Sequence, residues 1–448
     1  MKIKLIQPAM GRRPMDTKLK TRMSPSLALL TIANLTPKEH EVIIENENVE
    51  KINFDEAVDL VAITVTVDVM NRAVEIAREF KSRGVTVIAG GIHITADPEG
   101  ALSYFDAICV GMAERVWAKI LKDKENNSLK KIYYDIENIS GKEIISPNYN
   151  IINSKKYLYT NIISTSRGCP FKCDFCYNSC KDSLKTYINR PVEDVIEDIK
   201  ALKTRHVMFI DDNFIGNPKW TQKLLKEIKP LKLKWNAAVT SNIVDMPQLL
   251  DEMKEAGCQS LFIGFESINS KSIASVHKVQ NSVQRYEKLV EEIHKRGIMI
   301  NASFVFGLDE DEVSVFKNTL EWIVKNKIET VTSHILTPYP GTKLYSSLTE
   351  ENRITDFNLS NYNTAHVVYK PKNMSAEDLY NGYIWIYKEI YTFKNIMKRL
   401  PKARMQWIPF LAFNFFYRKF GKFTEMLCNI VSFKNIGGFF RGLSYFIK

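Results

Sequence analysis

The chain has 448 residues, of which 45% are hydrophobic and 25% charged, and it carries a net charge of +11. That length holds two or three domains with ordinary cores, and the balance is that of a globular protein. No uncharged apolar run approaches the roughly 18 residues of a membrane span, and the opening Met1–Pro8 reads as a strand of a mature protein rather than a signal peptide.

The first region, 1–135, alternates apolar strands with helical patterns. Strands are expected at Ile3–Ile6, Glu41–Glu45, Leu60–Val67, Val85–Ala89 and Ala107–Val110, with helices from Pro25 to Asn34 after Ser24 and from Asn71 to Arg83. Alternation at this pitch implies α/β architecture with a parallel, doubly wound sheet. Ligands of such sheets sit at the carboxyl ends of the strands. Those ends are Thr64/Thr66, Gly90-Gly91-Ile92-His93 and Gly111-Met112-Ala113-Glu114, and glycine lets backbone approach a ligand closely. Residues 115–160, including a connector over 136–160, show no chemistry.

The region 161–370 repeats strand plus helix six times, at Asn161–Ser166, His206–Ile210, Lys234–Val239, Ser260–Phe265, Met299–Phe306 and Thr330–Leu336. The helix Pro191–Leu202 carries proline at its first turn. After the first strand comes Arg167-Gly168-Cys169-Pro170-Phe171-Lys172-Cys173-Asp174-Phe175-Cys176-Tyr177, a C-x3-C-x2-C spacing. Three thiolates in eight residues can hold three irons of a cubane [4Fe–4S] cluster and leave the fourth without a protein ligand. A disulfide suits a secreted chain, and zinc wants a second cysteine or histidine pair. Cys180 is either a fourth ligand, which would close the cluster, or a small residue on the way out of the loop; the second reading is preferred. Cys109, Cys258 and Cys428 read as buried thiols.

The spacing and its Arg-Gly-Cys-Pro-Phe frame resemble the radical S-adenosylmethionine (SAM) enzymes. That resemblance implies that Cys169, Cys173 and Cys176 hold the cluster and that its open iron binds SAM. It also implies that the six units form a partial (β/α)6 barrel and that a flavodoxin- or ferredoxin-type reductant supplies the electron. Carried onto this sequence, it makes Tyr177, Asp211, Asp212, Glu266, Ser267, Gly307 and Pro338 the SAM-binding candidates, with Glu266 of Gly264-Phe265-Glu266-Ser267 foremost. The aspartates can equally cap the next helix. Tyr339, in Leu336-Thr337-Pro338-Tyr339-Pro340-Gly341-Thr342, either faces substrate or packs on the barrel rim.

The first region resembles the flavodoxin-like cobalamin-binding domain that precedes many radical SAM modules, in its Gly-Gly-x-His and Val-Gly-x-x-Glu strand ends. Thr64, Thr66, Gly90, Gly91, His93, Gly111 and Glu114 are the cobalamin candidates by that resemblance. The Asp-x-His-x-x-Gly loop that gives cobalt a histidine in some families is absent. His93 is a ligand or, preferably, a strand-end polar residue.

The last region, 371–448, is helical. Ser375 caps a helix running through about Arg399, and Met374-Ser375 with its tyrosine-rich sequel resembles the C-terminal region of hopanoid methylases and bacteriochlorophyll cyclases. From Phe393 onward, eleven lysines and arginines face a single acid, Glu425, and the same stretch holds eleven of the 24 phenylalanines. Aromatic and basic residues together suit a helix lying on an anionic membrane; the alternative is a packing helix with solvated lysines. The phenylalanines exceed what nucleic acid would need.

The sequence therefore reads as a radical SAM enzyme of the cytoplasm, or of the inner face of the membrane. It is expected to use a [4Fe–4S] cluster to cleave SAM to a 5′-deoxyadenosyl radical. With cobalamin it would methylate an unactivated carbon of a hydrophobic, lipid-like or secondary-metabolite small molecule. A radical cyclase, oxidase or coupling enzyme is the alternative, and a non-catalytic cluster- or corrinoid-binding protein is the rival of another class. A tRNA methylthiotransferase is disfavoured, because a second cluster cannot be built on Cys109 alone.

Overall fold

Six short apolar runs pair into one parallel sheet: β1 Lys2–Gln7, β2 Glu41–Asn46, β3 Leu60–Thr64, β4 Thr86–Gly90, β5 Ala107–Gly111 and β6 Ile132–Asp135. The order is β2-β1-β3-β4-β5-β6, the flavodoxin-like winding in which the chain reverses direction between β1 and β3. The structure, a computed structural model, describes residues 1–137, 139–180 and 187–445. The expected tail charge at Lys448 lies outside those residues.

Alternate side chains of this sheet enter two separate cores, as the two-residue strand period requires. Ile6, Val61, Ile63, Val87, Ala89, Ile108 and Val110 pack beneath the helix Met70–Ser82. Ile3, Leu5, Leu60, Ile88 and Tyr133 pack with Leu29 and Ala33 of the helix Leu27–Leu35 and with Trp117, Ile120 and Leu121 of the helix Trp117–Glu125. Three expectations need correction. Residues 115–135, in which no element is expected, hold the helix Trp117–Glu125 and the edge strand β6, whose alternation over four residues is too short to stand out. The first helix starts after Ser26, whose hydroxyl accepts from Leu29 N–H. β3 stops at Thr64 because a tight turn at Val67–Val69 follows.

The second sheet is also parallel, with strands in chain order from β7 to β14. It comprises β7 Ile162–Ile163, β10 His206–Phe209, β11 Lys234–Val239, β12 Cys258–Glu266, β13 Met299–Phe306 and β14 Thr330–Ile335. The first strand is shorter than expected: Ser166–Arg167 (β8) leaves the sheet to pair antiparallel with Ile188–Asn189 (β9). One face of these strands is sealed by helices around fully buried Trp235, Ile263, Phe304 and Ile335. On β11 and β14 the alternate positions, Asn236, Ala238, Thr332 and His334, keep partial solvent contact, so the opposite face, the lumen side, is the less tightly sealed one.

The C-terminal helices cover the free edge of β14. The tyrosine-rich helix is Ala376–Ile390, capped by Ser375 and Asp378 in a reciprocal box. It does not reach Arg399: Thr392 caps a separate helix, Phe393–Lys398. Arg399 is wholly buried and donates to the carbonyls of Ile328, Glu329, Ile390 and Asn395 and to Asn414 Oδ1. It fixes these helices to the start of β14. No helix among the described residues is long and apolar enough to cross a membrane.

Candidate active site

The cysteine loop meets residues that follow three different barrel strands. Asn178 donates to Asp212 after β10 at 3.2 Å, Gln280 after β12 donates to Cys173 Sγ at 3.4 Å, and Tyr177 stacks on Tyr339 after β14 with centroids 4.7 Å apart. None of the three thiols is bridged. Burial pushes the Cys176 thiol up to about 12 and raises that of Cys169, and Cys173 adds to both. Loading iron must therefore displace thiol protons. Among the described residues no three His, Cys, Asp or Glu side chains are gathered as around a single ion. Thiolates that share a four-iron cube stand farther apart than ligands of one zinc, so the lack of a single-ion group does not count against a cluster on this loop. Cys180 is buried, its N–H held by the Tyr177 carbonyl.

The segment His277–Asn281 clamps this loop to the end of β12. His277 Nδ1 lies 2.6 Å from Asp174 in the cysteine loop, Lys278 pairs with Glu266, and Asn281 donates to the carbonyls of Gly264 and Phe265. Glu266 itself has φ +63°, at an irregularity in the β12–β13 pairing. A non-glycine residue there is held by its surroundings, as at many functional sites. A Cβ at Gly264 would press on the Glu266 carboxylate and on Lys278 Nζ, so a larger residue there would have to push this pair aside.

The other SAM candidates divide. Asp212 faces the site, and burial raises its pKa against the pull of Asn178 and Arg167. Tyr177 has a buried hydroxyl without a partner. The Asp211 carboxylate accepts from Thr165 N–H, Thr165 Oγ1, Ser166 N–H and Ser166 Oγ, which ties the loop after β7 to β10. Ser267 Oγ accepts from Asn269 N–H. Gly307 has φ +95° and lies against Tyr369 and Leu379, so the C-terminal packing already requires glycine there without any ligand. Pro338 is buried beside Tyr339.

A half-open cavity of about 400 Å³ joins the two sheets. It takes in Thr64, Gly90, Gly91, Gly111 and Glu114 at the strand ends of the first sheet, then Arg167, Gly168, Asp211 and Asp212 beside the cysteine loop. Its inner arm runs between the sheet and the helix Leu27–Leu35, walled by Leu5, Ala62, Ile88 and Trp117 and by Thr31, whose buried hydroxyl has no partner. Burial raises the Glu114 carboxyl, and Arg167, 3.9 Å away, opposes this. Thr66 and His93 are outside the lining: Thr66 is exposed and donates to Asp68, while His93 is buried with Nδ1 unpartnered. No histidine lines the cavity.

Sequence reading missed Lys278, Gln280 and Asn281. Their only signal is the polar run His277-Lys278-Val279-Gln280-Asn281 soon after the Gly-x-Glu strand end, in which Val279 alone is apolar.

Residues 163–323 match the model of the radical SAM superfamily, and residues 342–426 match a domain of unknown function. The chain is 30% identical over 412 residues to bacteriochlorophyllide d C-12(1)-methyltransferase of Chlorobaculum tepidum, covering 89% of this chain and 90% of that protein. It is 26% identical to hopanoid C-2 methylase of Rhodopseudomonas palustris, over 74% of this chain and 65% of that protein. Among solved structures, the cobalamin-dependent SAM radical enzyme OxsB, with aqua-cobalamin and SAM bound, superposes with a TM-score of 0.69 at 16% identity, over 94% of this chain and 72% of that one.

Proposed function

Because the chain belongs to the radical SAM family that includes bacteriochlorophyllide d C-12(1)-methyltransferase, we propose that it is a cobalamin-dependent methyltransferase acting on an unactivated carbon of a hydrophobic small molecule. It is a radical SAM enzyme, with a [4Fe–4S] cluster and SAM as cofactors. When bound, these supply the 5′-deoxyadenosyl radical, and a corrinoid supplies the methyl group.

The observation that carries the methyl-transfer reading is the cavity between the sheets. One wall is the carboxyl edge of a flavodoxin-like sheet; the other is Ser166, Arg167 and Gly168, which lead into the cysteine loop, with Asp211 and Asp212. Its residues fit a corrinoid: the apolar arm with the orphaned Thr31 hydroxyl would take a flat, sparsely polar group, and Thr64, Glu114 and Arg167 would meet amides at the mouth. A lining without histidine leaves cobalt without an imidazole from this cavity. Asp212, Glu266 and Tyr177 are the residues proposed to bind SAM, and a flavodoxin- or ferredoxin-type protein the reductant.

Anaerobic reconstitution with iron, sulfide, hydroxocobalamin and methyl-labelled SAM tests this. Retained corrinoid, released 5′-deoxyadenosine and a labelled product missing from the metabolites of a deletion strain are expected. Deoxyadenosine without corrinoid retention would leave only a radical cyclase or oxidase, and a chain that releases none would be a binding protein.

Peripheral membrane contact belongs to the same proposal. Phe410, Cys428 and Phe433 pack inward, but Phe423, Ile430 and Phe439 stay 52%, 76% and 61% exposed among basic residues. Co-sedimentation with anionic vesicles should fall when Phe423 and Ile430 are both replaced by Glu; unchanged sedimentation removes the membrane from the proposal.

A further inference from the structure

A partial barrel has a lateral gap between its first and last strands, and this chain fills it from both ends of the sequence. Leu158 and Tyr159, just ahead of β7, donate their backbone N–H groups to the carbonyls of Arg22 and Met23. Thr17 lies against Gly421, Lys18 N–H donates to Glu425, and Leu19 packs with Leu158, Cys428 and Phe433. Behind this seam stands Arg418, in a π-helical turn spanning Ala412–Lys419, a distortion common at functional sites.

Two arginines of these helices differ in kind: Arg399 is wholly buried, Arg418 only partly so. Arg399 has five acceptors and acts as a structural rivet. Arg418 donates only to the Tyr387 hydroxyl, its Nε has no partner, and no carboxylate lies within salt-bridge distance among the described residues. Its guanidinium sits 5.1–5.6 Å from the ring centroids of Tyr387, Tyr391, Phe413 and Tyr417. Aromatic faces soften the cost of a buried cation without neutralising it.

Asp16, an acid whose charge acts on Arg418 from beyond salt-bridge distance, does not make up the deficit. Asp16 is held by Lys20 at 2.8 Å and faces Arg13 at 3.9 Å, so one carboxylate serves three cations. Arg13, Lys20 and Arg418 all act on the lumen residue His334, which burial first and these charges second push down to about 3. Arg13 also acts on Tyr339, the ring stacked on Tyr177 beside the cluster loop. His334, Arg13, Lys20 and Arg418 keep partial solvent contact, so a ligand in the lumen can reach them.

We propose that this seam is where the substrate is anchored: Arg418, backed by Arg13 and Lys20, takes a carboxylate on a large apolar or aromatic molecule whose body lies in the lumen among the tyrosines. A guanidinium framed by ring faces presents a planar fork, the shape that matches a carboxylate two bonds at a time. This rests on the reading of the lumen as the substrate chamber of a radical enzyme and narrows that substrate to an organic acid.

The test is fluorescence titration of the anaerobically reconstituted protein with 1-pyrenebutyrate and with its neutral counterpart 1-pyrenebutanol. The acid should bind at least about tenfold more tightly, and Arg418→Gln should erase the preference while Arg418→Lys keeps part of it. Because Arg418→Gln can loosen the helices, Lys20→Met serves as an independent variant and should reduce the preference as well. Equal affinity of both probes for the unaltered protein, an intact preference in both variants, or displacement of the acid by millimolar inorganic phosphate would overturn the proposal. Probe preference without deoxyadenosine release would leave the anchor standing and remove the radical chemistry; release without preference would do the reverse.

Discussion

The side-chain amide nitrogen of Gln280 lies 3.4 Å from the sulfur of Cys173, and the oxygen of the same amide is buried without a partner. One end of the amide therefore serves the proposed cluster while the other is free for a donor such as the ammonium group of SAM. Hydrogen bonds to cluster sulfurs favour the reduced state, because that state carries more negative charge. One such bond is worth about 1 kcal/mol, so Gln280→Leu should lower the midpoint potential by roughly 40 mV, since about 59 mV corresponds to tenfold for one electron. Potentiometric titration followed by electron paramagnetic resonance measures it. An unshifted potential would remove Gln280 from the cluster's surroundings.

Lys278 and Glu266 are both buried and paired at the end of β12. Removing one partner of such a pair leaves an uncompensated charge and costs about 3–5 kcal/mol, whereas removing both costs much less. Lys278→Met should therefore lower the melting temperature more than the double variant Glu266→Gln/Lys278→Met does. Simple additivity of the single effects would mean that the pair is not coupled.

Much of this arrangement was legible in the residues. The strands of the second sheet announce themselves as apolar runs at regular spacing, and the cysteine spacing needs no tertiary information. What escaped depends on contacts between distant segments. Asp211 looks like a ligand residue until Thr165 and Ser166, 46 and 45 positions away, occupy its oxygens. Gly307 looks like room for a nucleoside until Tyr369 and Leu379 crowd it. Arg418 reads as one more basic residue of a tail, since its aromatic frame includes Tyr387 and Tyr391 from a different helix turn. The capping of the helix Ala376–Ile390 by Ser375 was readable because its partner, Asp378, is three residues on.

The inner arm of the cavity can be closed without touching the cysteine loop. Ala62 lines it from the middle of β3, and Ala62→Trp would add an indole to the slot. The variant should retain iron but lose corrinoid, read as the cobalamin absorbance that survives gel filtration of the reconstituted protein. Undiminished absorbance would place the corrinoid elsewhere.

His334 lets stability report on the lumen. It lies on the solvent-contacting face of β14 with Nδ1 3.0 Å from Thr364 Oγ1, and burial with the charges of Arg13, Lys20 and Arg418 pushes it down to about 3. The unfolded chain, with histidine near its usual value of about 6.5, takes up the proton first as pH falls. Stability contributed by neutral His334 is thus fully present above about pH 6.5 and is lost as pH drops toward about 3, at up to roughly 1.4 kcal/mol per unit. His334→Gln should remove this part of the slope, so the unaltered protein and the variant should diverge in melting temperature between pH 6.5 and 4.5. Comparing the two chains cancels acid loss of the cluster, which affects both. Parallel curves would mean that His334 is already free to protonate in the folded protein and that the three cations do not share its compartment.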